Sequence, residues 1–129
     1  MVVVDASAVV EILLNRAIGS RVRERLFHGG QTIHAPQLID IEVLHVIRRY
    51  NRKHEMTDAS AEDAVAIYSG LPIERHSHEV VLRRAWELRS NLTAYGAAYV
   101  ALAELLDVRL VTTDKRLAKA APHVAELIQ

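Results

Sequence analysis

The chain has 129 residues, of which 50% are hydrophobic and 25% are charged, and this length and composition fit one soluble domain with a substantial core. The formal net charge of zero excludes a general electrostatic attraction to nucleic acid, so any polyanion must be held by a local basic patch or by metal ions. Because the chain contains no cysteine, it has no disulfide, no thiolate metal site and no cysteine nucleophile, as suits a reducing cytoplasm.

The first predicted element is a strand over MVVVD, since three β-branched residues follow one another before Asp5. This apolar start is too short for a signal peptide or a membrane span, and no longer apolar segment follows it. We therefore expect a cytoplasmic protein without membrane contact.

After this strand, helical and strand patterns alternate along the chain. Helices are predicted for ASAVVEILLN, GSRVRERLFHGG, QLIDIEVLHVIRRYNR, TDASAEDAVAIYSG, SHEVVLRRAWELRSN, the segment that begins at Ala94, and KRLAKAA. Further strands are predicted for TIHAP, LPIER, RLVTTD and, at one edge of the sheet, VAELI. The alternation predicts a single α/β domain, residues 1–129, with helices on both faces of a mainly parallel central sheet.

Capping residues predict where several of these helices begin and end. Ser20 is expected to cap the second helix, which the pair Gly29–Gly30 ends. Thr57 is expected to open the fourth helix, which Gly70 ends, and Thr93 is a good N-cap for the sixth.

Two predicted strands end in an acid, Asp5 after VVV and Asp114 after LVTT. Binding sites of open α/β sheets form outside the carboxyl ends of the strands, so these two carboxylates can converge. Ser7 and Thr112 lie two residues from them, where a hydroxyl can support the site by holding water or a phosphate oxygen.

A third acid, Glu42, lies inside the predicted third helix. Its helical neighbours Leu38, Ile41 and Val43 are apolar, and we take their positions to face the core. A carboxylate in such surroundings needs a partner, for which a divalent cation or a nearby arginine qualifies.

Three converging acids without cysteine point to a hard cation, Mg²⁺ or Mn²⁺, rather than to zinc. Such ions activate water and stabilise phosphoryl oxygens, which is the chemistry of phosphodiester hydrolysis. A structural alternative exists for each acid taken singly, because Asp5 and Asp114 can cap helices. A phosphoacceptor domain or an aspartate-based phosphatase fits less well, since Ser7 stands where the phosphatase needs a second acid.

Histidines and a basic helix end offer weaker signals. His76 and His78 form an H-x-H pair, but no third metal ligand is evident in the sequence, and the start of a solvated helix explains them more simply. His45 lies three residues after Glu42 and can line the same cleft, although an ordinary core or surface histidine explains it more simply. The end of the third helix is basic and either complements the helix dipole or contacts phosphate, through Arg48, Arg49, Arg52 and Lys53.

Four motifs together resemble the PIN-domain ribonucleases, and specifically the VapC-type toxins of type II toxin–antitoxin pairs. They are VVVDASAVVEIL, HAPQLIDIEVLHVIRR, PIERH and NLTAYGAAYVALAELLDVRLVTTDKRLA, and they span nearly the whole chain. The resemblance implies a PIN-like three-layer fold, a homodimer and Mg²⁺-dependent cleavage of RNA by metal-activated water, with tRNA the commonest target class. It also implies neutralisation by a VapB-type antitoxin, through which alone the protein would reach operator DNA.

The resemblance assigns the catalytic, metal-binding acids to Asp5, Glu42 and Asp114, the last in a Thr-x-Asp setting with Thr112. One more family acid belongs directly after Tyr95, where this chain has Gly96.

Helix rules also favour an acid at Gly96, because it is residue N3 of a helix capped by Thr93. We therefore expect weakened metal binding and impaired cleavage, with fold and dimer intact. The alternative function is a catalytically degenerate toxin that still binds its antitoxin and, with it, operator DNA.

Overall fold

A five-stranded sheet forms the centre of the protein, for which the computed structural model describes residues 1–129. Its strands are β1 (Val2–Val4), β2 (Ile33–Pro36), β3 (Ile73–His76), β4 (Leu110–Thr112) and β5 (Ala125–Leu127). All four pairings are parallel, in the order β3-β2-β1-β4-β5. The three valines of the central strand are fully buried, as expected for a parallel sheet that is covered on both faces.

Seven helices flank the sheet, which confirms the predicted three-layer α/β fold. They are α1 (Ala6–Leu13), α2 (Ala17–Phe27), α3 (Ile39–Arg52), α4 (Asp58–Ser69), α5 (Leu82–Glu87), α6 (Ala94–Leu106) and α7 (Lys115–Ala120), with a 3-10 turn at His78–Val80 before α5. None of them combines the length and the apolar character that a bilayer crossing requires.

The predicted start of α2 is wrong. The helix begins at Ala17 and its N-cap residue is Arg16, while the Ser20 amide already donates a helical hydrogen bond to the Arg16 carbonyl. Gly19 lies inside the helix and allows its close approach to α1, because a Cβ atom at this position would clash with the Glu11 carbonyl. The glycine is thus a contact point between two helices rather than part of the preceding loop.

The long helix predicted over SHEVVLRRAWELRSN is also wrong in extent. Ser77 caps the short 3-10 turn by accepting a hydrogen bond from the Glu79 amide, and α5 then spans only six residues. Val81 lies between the two pieces and is buried, so the chain turns here to bring one apolar side chain into the core. By contrast, the predicted caps Thr57 and Thr93 are confirmed.

Candidate functional site

A cleft of about 420 Å³ opens where β1 and β4 end, and α6 and α7 contribute to its wall. The residues that line it include all three predicted acids, Asp5, Glu42 and Asp114. Gly96 lines the same cleft. The fold therefore gathers residues that are far apart in the chain into one cleft, with Gly96 in its wall.

Asp5 is buried at the floor of this cleft, directly after β1, and only 4% of its surface is exposed. Its Oδ1 accepts hydrogen bonds from the Ser7 hydroxyl (2.7 Å) and the Ala8 amide (3.0 Å), so it also caps α1. Burial raises the pKa of Asp5 from 3.8 to about 6, although its hydrogen bonds, the strongest from Thr112, oppose the shift. The capping interpretation of Asp5 is confirmed, and its role as a metal-binding acid stays a prediction that capping does not exclude.

The hydroxyls of Ser7 and Thr112 hold Asp5 in place. Thr112 Oγ1 donates to Asp5 Oδ2 over 2.5 Å and accepts from the Asp114 amide over 3.0 Å. The Ser7 hydroxyl accepts from the Thr113 amide at 3.1 Å. These bonds join the end of β1 to the end of β4 and leave the Asp5 carboxylate with little rotational freedom.

Asp114 is exposed at the rim, where it caps α7. Its Oδ1 accepts from the amides of Arg116 (2.9 Å) and Leu117 (3.2 Å). Its Oδ2 makes no hydrogen bond to the protein, so one oxygen serves the helix while the other remains available to a ligand. Arg116 also lines the cleft and places a cation at its rim, which the sequence pattern had not singled out.

Glu42 is half-buried on α3, and its partner is Tyr99 of α6 rather than an arginine. The Tyr99 hydroxyl donates to Glu42 Oε1 over 2.6 Å. Burial and this bond raise the pKa of Tyr99, which keeps its hydroxyl protonated as a donor. The surroundings of Glu42 are less apolar than predicted, because Ile41 is 68% exposed and only Val43 is fully buried.

The loss of the Tyr99 hydroxyl should loosen Glu42. We expect Tyr99→Phe to lower the free energy of unfolding by about 1–2 kcal/mol, because a hydrogen bond to a carboxylate is lost without a change in shape. Urea denaturation at neutral pH measures the effect. Tyr95→Phe is the matched control, since Tyr95 lies in the same helix, is 63% exposed and makes no side-chain hydrogen bond. Equal losses in the two variants would contradict this role of Tyr99.

Gly96 has room for a side chain. It is residue N3 of α6, and its amide donates to Thr93 Oγ1 over 3.1 Å. A Cβ atom here would lie 3.3 Å from Leu117 Cδ1 and 3.6 Å from Thr93 Oγ1. Only the flexible end of the Leu117 side chain has to move, by a few tenths of an ångström. A side chain in place of glycine therefore fits without a shift of the backbone.

Several other predicted groups lie elsewhere. Neither His45 nor the basic end of α3 lines the cleft. His76 is the last residue of β3 instead of the start of a helix, and His78 Nε2 accepts a hydrogen bond from the Leu38 amide at 2.9 Å. These groups therefore contribute nothing to the acid cluster.

Comparisons with known proteins agree on one family. Residues 2–122 match the model of the PIN domain. The chain is 41% identical over 127 residues to ribonuclease VapC12 of Mycobacterium tuberculosis, an alignment covering 98% of this chain and 97% of the relative. It is 38% identical over 117 residues to VapC ribonuclease Mb0985 of Mycobacterium bovis, covering 91% and 88%. The fold matches the crystal structure of VapBC2 from Rickettsia felis bound to a DNA fragment from their promoter, with a TM-score of 0.72, 14% identity and 100% coverage of both chains.

Proposed function

Because the chain belongs to the PIN-domain family, and within it to the VapC ribonuclease toxins of toxin–antitoxin modules, we propose that it is a Mg²⁺-dependent endoribonuclease toxin whose activity is impaired by Gly96. The observation that carries the proposal is the common cleft of Asp5, Glu42 and Asp114, with Gly96 in its wall. The proposed enzyme is one PIN domain that spans residues 1–129.

The donor set of the cleft fits a hard divalent cation. Asp5, Glu42 and Asp114 offer carboxylate oxygens, which Mg²⁺ and Mn²⁺ prefer, and no soft ligand lines the cleft. Burial disfavours the ionised form of Asp5 and raises its pKa, and a cation bound nearby would favour that form. When bound, the ion would lower the pKa of a water molecule and offset the charge of the scissile phosphate.

The protein itself supplies orientation. Ser7 and Thr112 fix Asp5, and Tyr99 fixes one oxygen of Glu42, so the acids are held before substrate arrives. Arg116 at the rim can pair with a phosphate of the RNA backbone, which supplies locally the positive charge that the whole chain lacks.

Protein partners complete the proposal. We propose a homodimer that is neutralised by a VapB-type antitoxin and contacts operator DNA only through it, with RNA, and tRNA in particular, as the substrate. Exposed large apolar side chains support protein partners, and most of them lie on α3 and α4 (Ile41, Leu44 and Ile67) or between His78 and Leu106 (Val80, Leu82, Trp86, Tyr95 and Leu105). The Rickettsia felis complex with promoter DNA supports the operator role.

RNA cleavage tests the enzyme directly. We expect the purified chain to cut RNA slowly in Mg²⁺, and a chelator to stop it. Asp114→Asn should lower the rate by at least about 10-fold, because asparagine caps a helix as well as aspartate does but carries no charge. Asp107→Asn is the matched control, since Asp107 is an exposed acid outside the cleft in a left-handed conformation that asparagine tolerates. Equal rates for the two variants would refute the proposal.

Gly96 also supports the second candidate, the degenerate toxin that acts only by binding its antitoxin. A chain that binds the antitoxin tightly but cuts no RNA at any Mg²⁺ concentration would favour this candidate over the enzyme.

A further inference from the structure

Three potential metal ligands meet at the edge of the sheet, away from the acid cleft. His34 lies on β2, and Glu74 and His76 lie on β3. His34 Nδ1 is 2.8 Å from His76 Nε2 and 3.5 Å from Glu74 Oε2, and one ligand atom from each residue lies within 4.8 Å of the others. None of these residues lines the cleft.

The register of the parallel strands explains this meeting. His34 is opposite Glu74, and Pro36 is opposite His76. Side chains two residues apart on a strand point to the same face, so all three ligands project from one face of the β2–β3 pair. The sequence alone shows only the H-x-H pair of His76 and His78. The strand pairing instead brings His76 together with His34 and Glu74, and His78 is not part of the cluster.

The surroundings of His34 resemble those of a metal-binding histidine. The residue is 5% exposed, and its ring Nε2 lies 2.8 Å from Thr32 Oγ1. If Nε2–H donates to this hydroxyl, Nδ1 presents its lone pair to His76 and Glu74. Metal-binding histidines are usually held in this way by a hydrogen bond from the second ring nitrogen. His76 is half-buried and the Glu74 side chain is 63% exposed, so an ion can enter from solvent.

We propose that His34, Glu74 and His76 form a second metal site, for a transition-metal ion of the zinc class, with water as the fourth ligand. Two imidazoles and one carboxylate are a ligand set that Zn²⁺ accepts in an open tetrahedral site. Zinc–nitrogen bonds of about 2.0–2.1 Å place two ligands about 3.3 Å apart, so the two rings must separate by roughly half an ångström. The nitrogen donors distinguish this site from the all-oxygen cleft, which suits Mg²⁺.

A bound ion would fasten the edge strand β3 to β2. The same end of β3 is tied to the start of α3, because the His76 carbonyl accepts from the Gln37 amide at 3.0 Å and His78 accepts from the Leu38 amide. Since α3 carries Glu42, the ion would also stabilise one wall of the acid cleft from outside.

Zinc binding to the complete chain, prepared without a histidine tag, tests the site. We expect one Zn²⁺ per chain by competition with a chromophoric chelator, and at least the 10- to 100-fold weakening typical of damaged metal sites in Glu74→Gln and in His76→Gln. Zinc should raise the melting temperature of the parent protein but not that of His76→Gln. In place of zinc, Co²⁺ should show the visible absorption of a four-coordinate ion.

Two controls make the outcome decisive. His45→Gln removes an exposed histidine outside the cluster, and Asp5→Asn alters the acid cleft, so both proteins should bind zinc like the parent. The proposal is overturned if the parent binds less than one ion per chain, or if zinc affinity is unchanged in His76→Gln and Glu74→Gln. Loss of binding in Asp5→Asn would instead assign the zinc to the acid cleft and would also overturn it.

Discussion

Replacing Gly96 by aspartate should tighten Mg²⁺ binding and accelerate RNA cleavage by at least about 10- to 100-fold, the range over which loss of a supporting metal-site group usually acts. The new carboxylate would enter a cleft that already contains Asp5, Glu42 and Asp114. Calorimetric titration with Mg²⁺ or Mn²⁺ and RNA cleavage rates under matched conditions measure the two effects.

The geometry at Gly96 makes this gain attainable. A Cβ atom would meet the flexible Leu117 side chain at 3.3 Å and no backbone atom within 4 Å among its nearest neighbours, so α6 need not move. An acid at N3 also suits the helix dipole, which offsets part of the repulsion from the acids already in the cleft until a cation binds.

Two matched variants separate charge from shape at this position. Gly96→Asn has the size of aspartate without its charge, and Gly96→Ala adds only the Cβ atom and helix propensity. We expect neither to increase metal affinity. Equal affinities and equal cleavage rates in the parent, Gly96→Asp and Gly96→Asn would show that the missing acid is irrelevant to the site.

The second large effect is expected at Asp5, where Asp5→Asn should stabilise the metal-free protein while it abolishes cleavage. Burial raises the pKa of Asp5 from 3.8 to about 6, so ionisation of this carboxyl opposes folding at neutral pH. The shift corresponds to on the order of 3 kcal/mol. Asparagine keeps the side-chain shape and the Oδ1 acceptor for Ser7 and Ala8 but removes the charge, and its amide nitrogen donates to the Thr112 hydroxyl instead of accepting from it.

The sign of the pH dependence follows from where the proton is bound. Between about pH 4 and pH 6 the folded protein holds the Asp5 proton more tightly than the unfolded chain does, so the stability of the parent falls as the pH rises through this window. Above about pH 6 the folded protein bears the full cost of an ionised Asp5, and below about pH 4 it bears none of it. Asp5→Asn should therefore gain stability over the parent at about pH 7 and lose that advantage at about pH 4.

Urea denaturation in a chelator measures this difference, with the exposed Asp107→Asn as the control. Added Mg²⁺ should stabilise the parent but not Asp5→Asn. The difference in free energy of unfolding between the two proteins should then shrink or change sign. A constant stability difference between the parent and Asp5→Asn across this pH range would contradict the buried, ionising carboxyl.

Local signals in the sequence were sufficient to predict much of this fold. A β-branched run predicted β1, and Thr57 and Thr93 predicted two helix starts, because these signals act within a few residues. Ser20 failed as a cap because α2 already begins at Ala17, and its N-cap residue Arg16 makes no side-chain hydrogen bond that would mark the start in the sequence. The grouping of acids at the strand ends followed from topology, although their assignment as catalytic residues stays a prediction.

Side-chain contacts between residues on different helices or strands could not be predicted from the sequence pattern. The bond from Tyr99 to Glu42 depends on how α6 packs against α3, which no local signal specifies. His34 likewise has no metal-site signature until β3 lies beside β2 in a particular register. The periodicity of a sequence indicates which face of a helix or strand a residue occupies. Which residue of another element it contacts depends on how the elements pack.

The bond from Thr112 to Asp5 has a consequence for the time at which the cleft comes into being. It joins residues 107 positions apart, and β1 itself pairs with both β2 and β4. Contacts between such distant parts of a chain close late, since a long loop must be ordered first. During synthesis, a growing chain that already carries Asp5 still lacks the strand and hydroxyl that fix it. The acid cleft therefore cannot form on the ribosome until β4, close to the end of the chain, has been made.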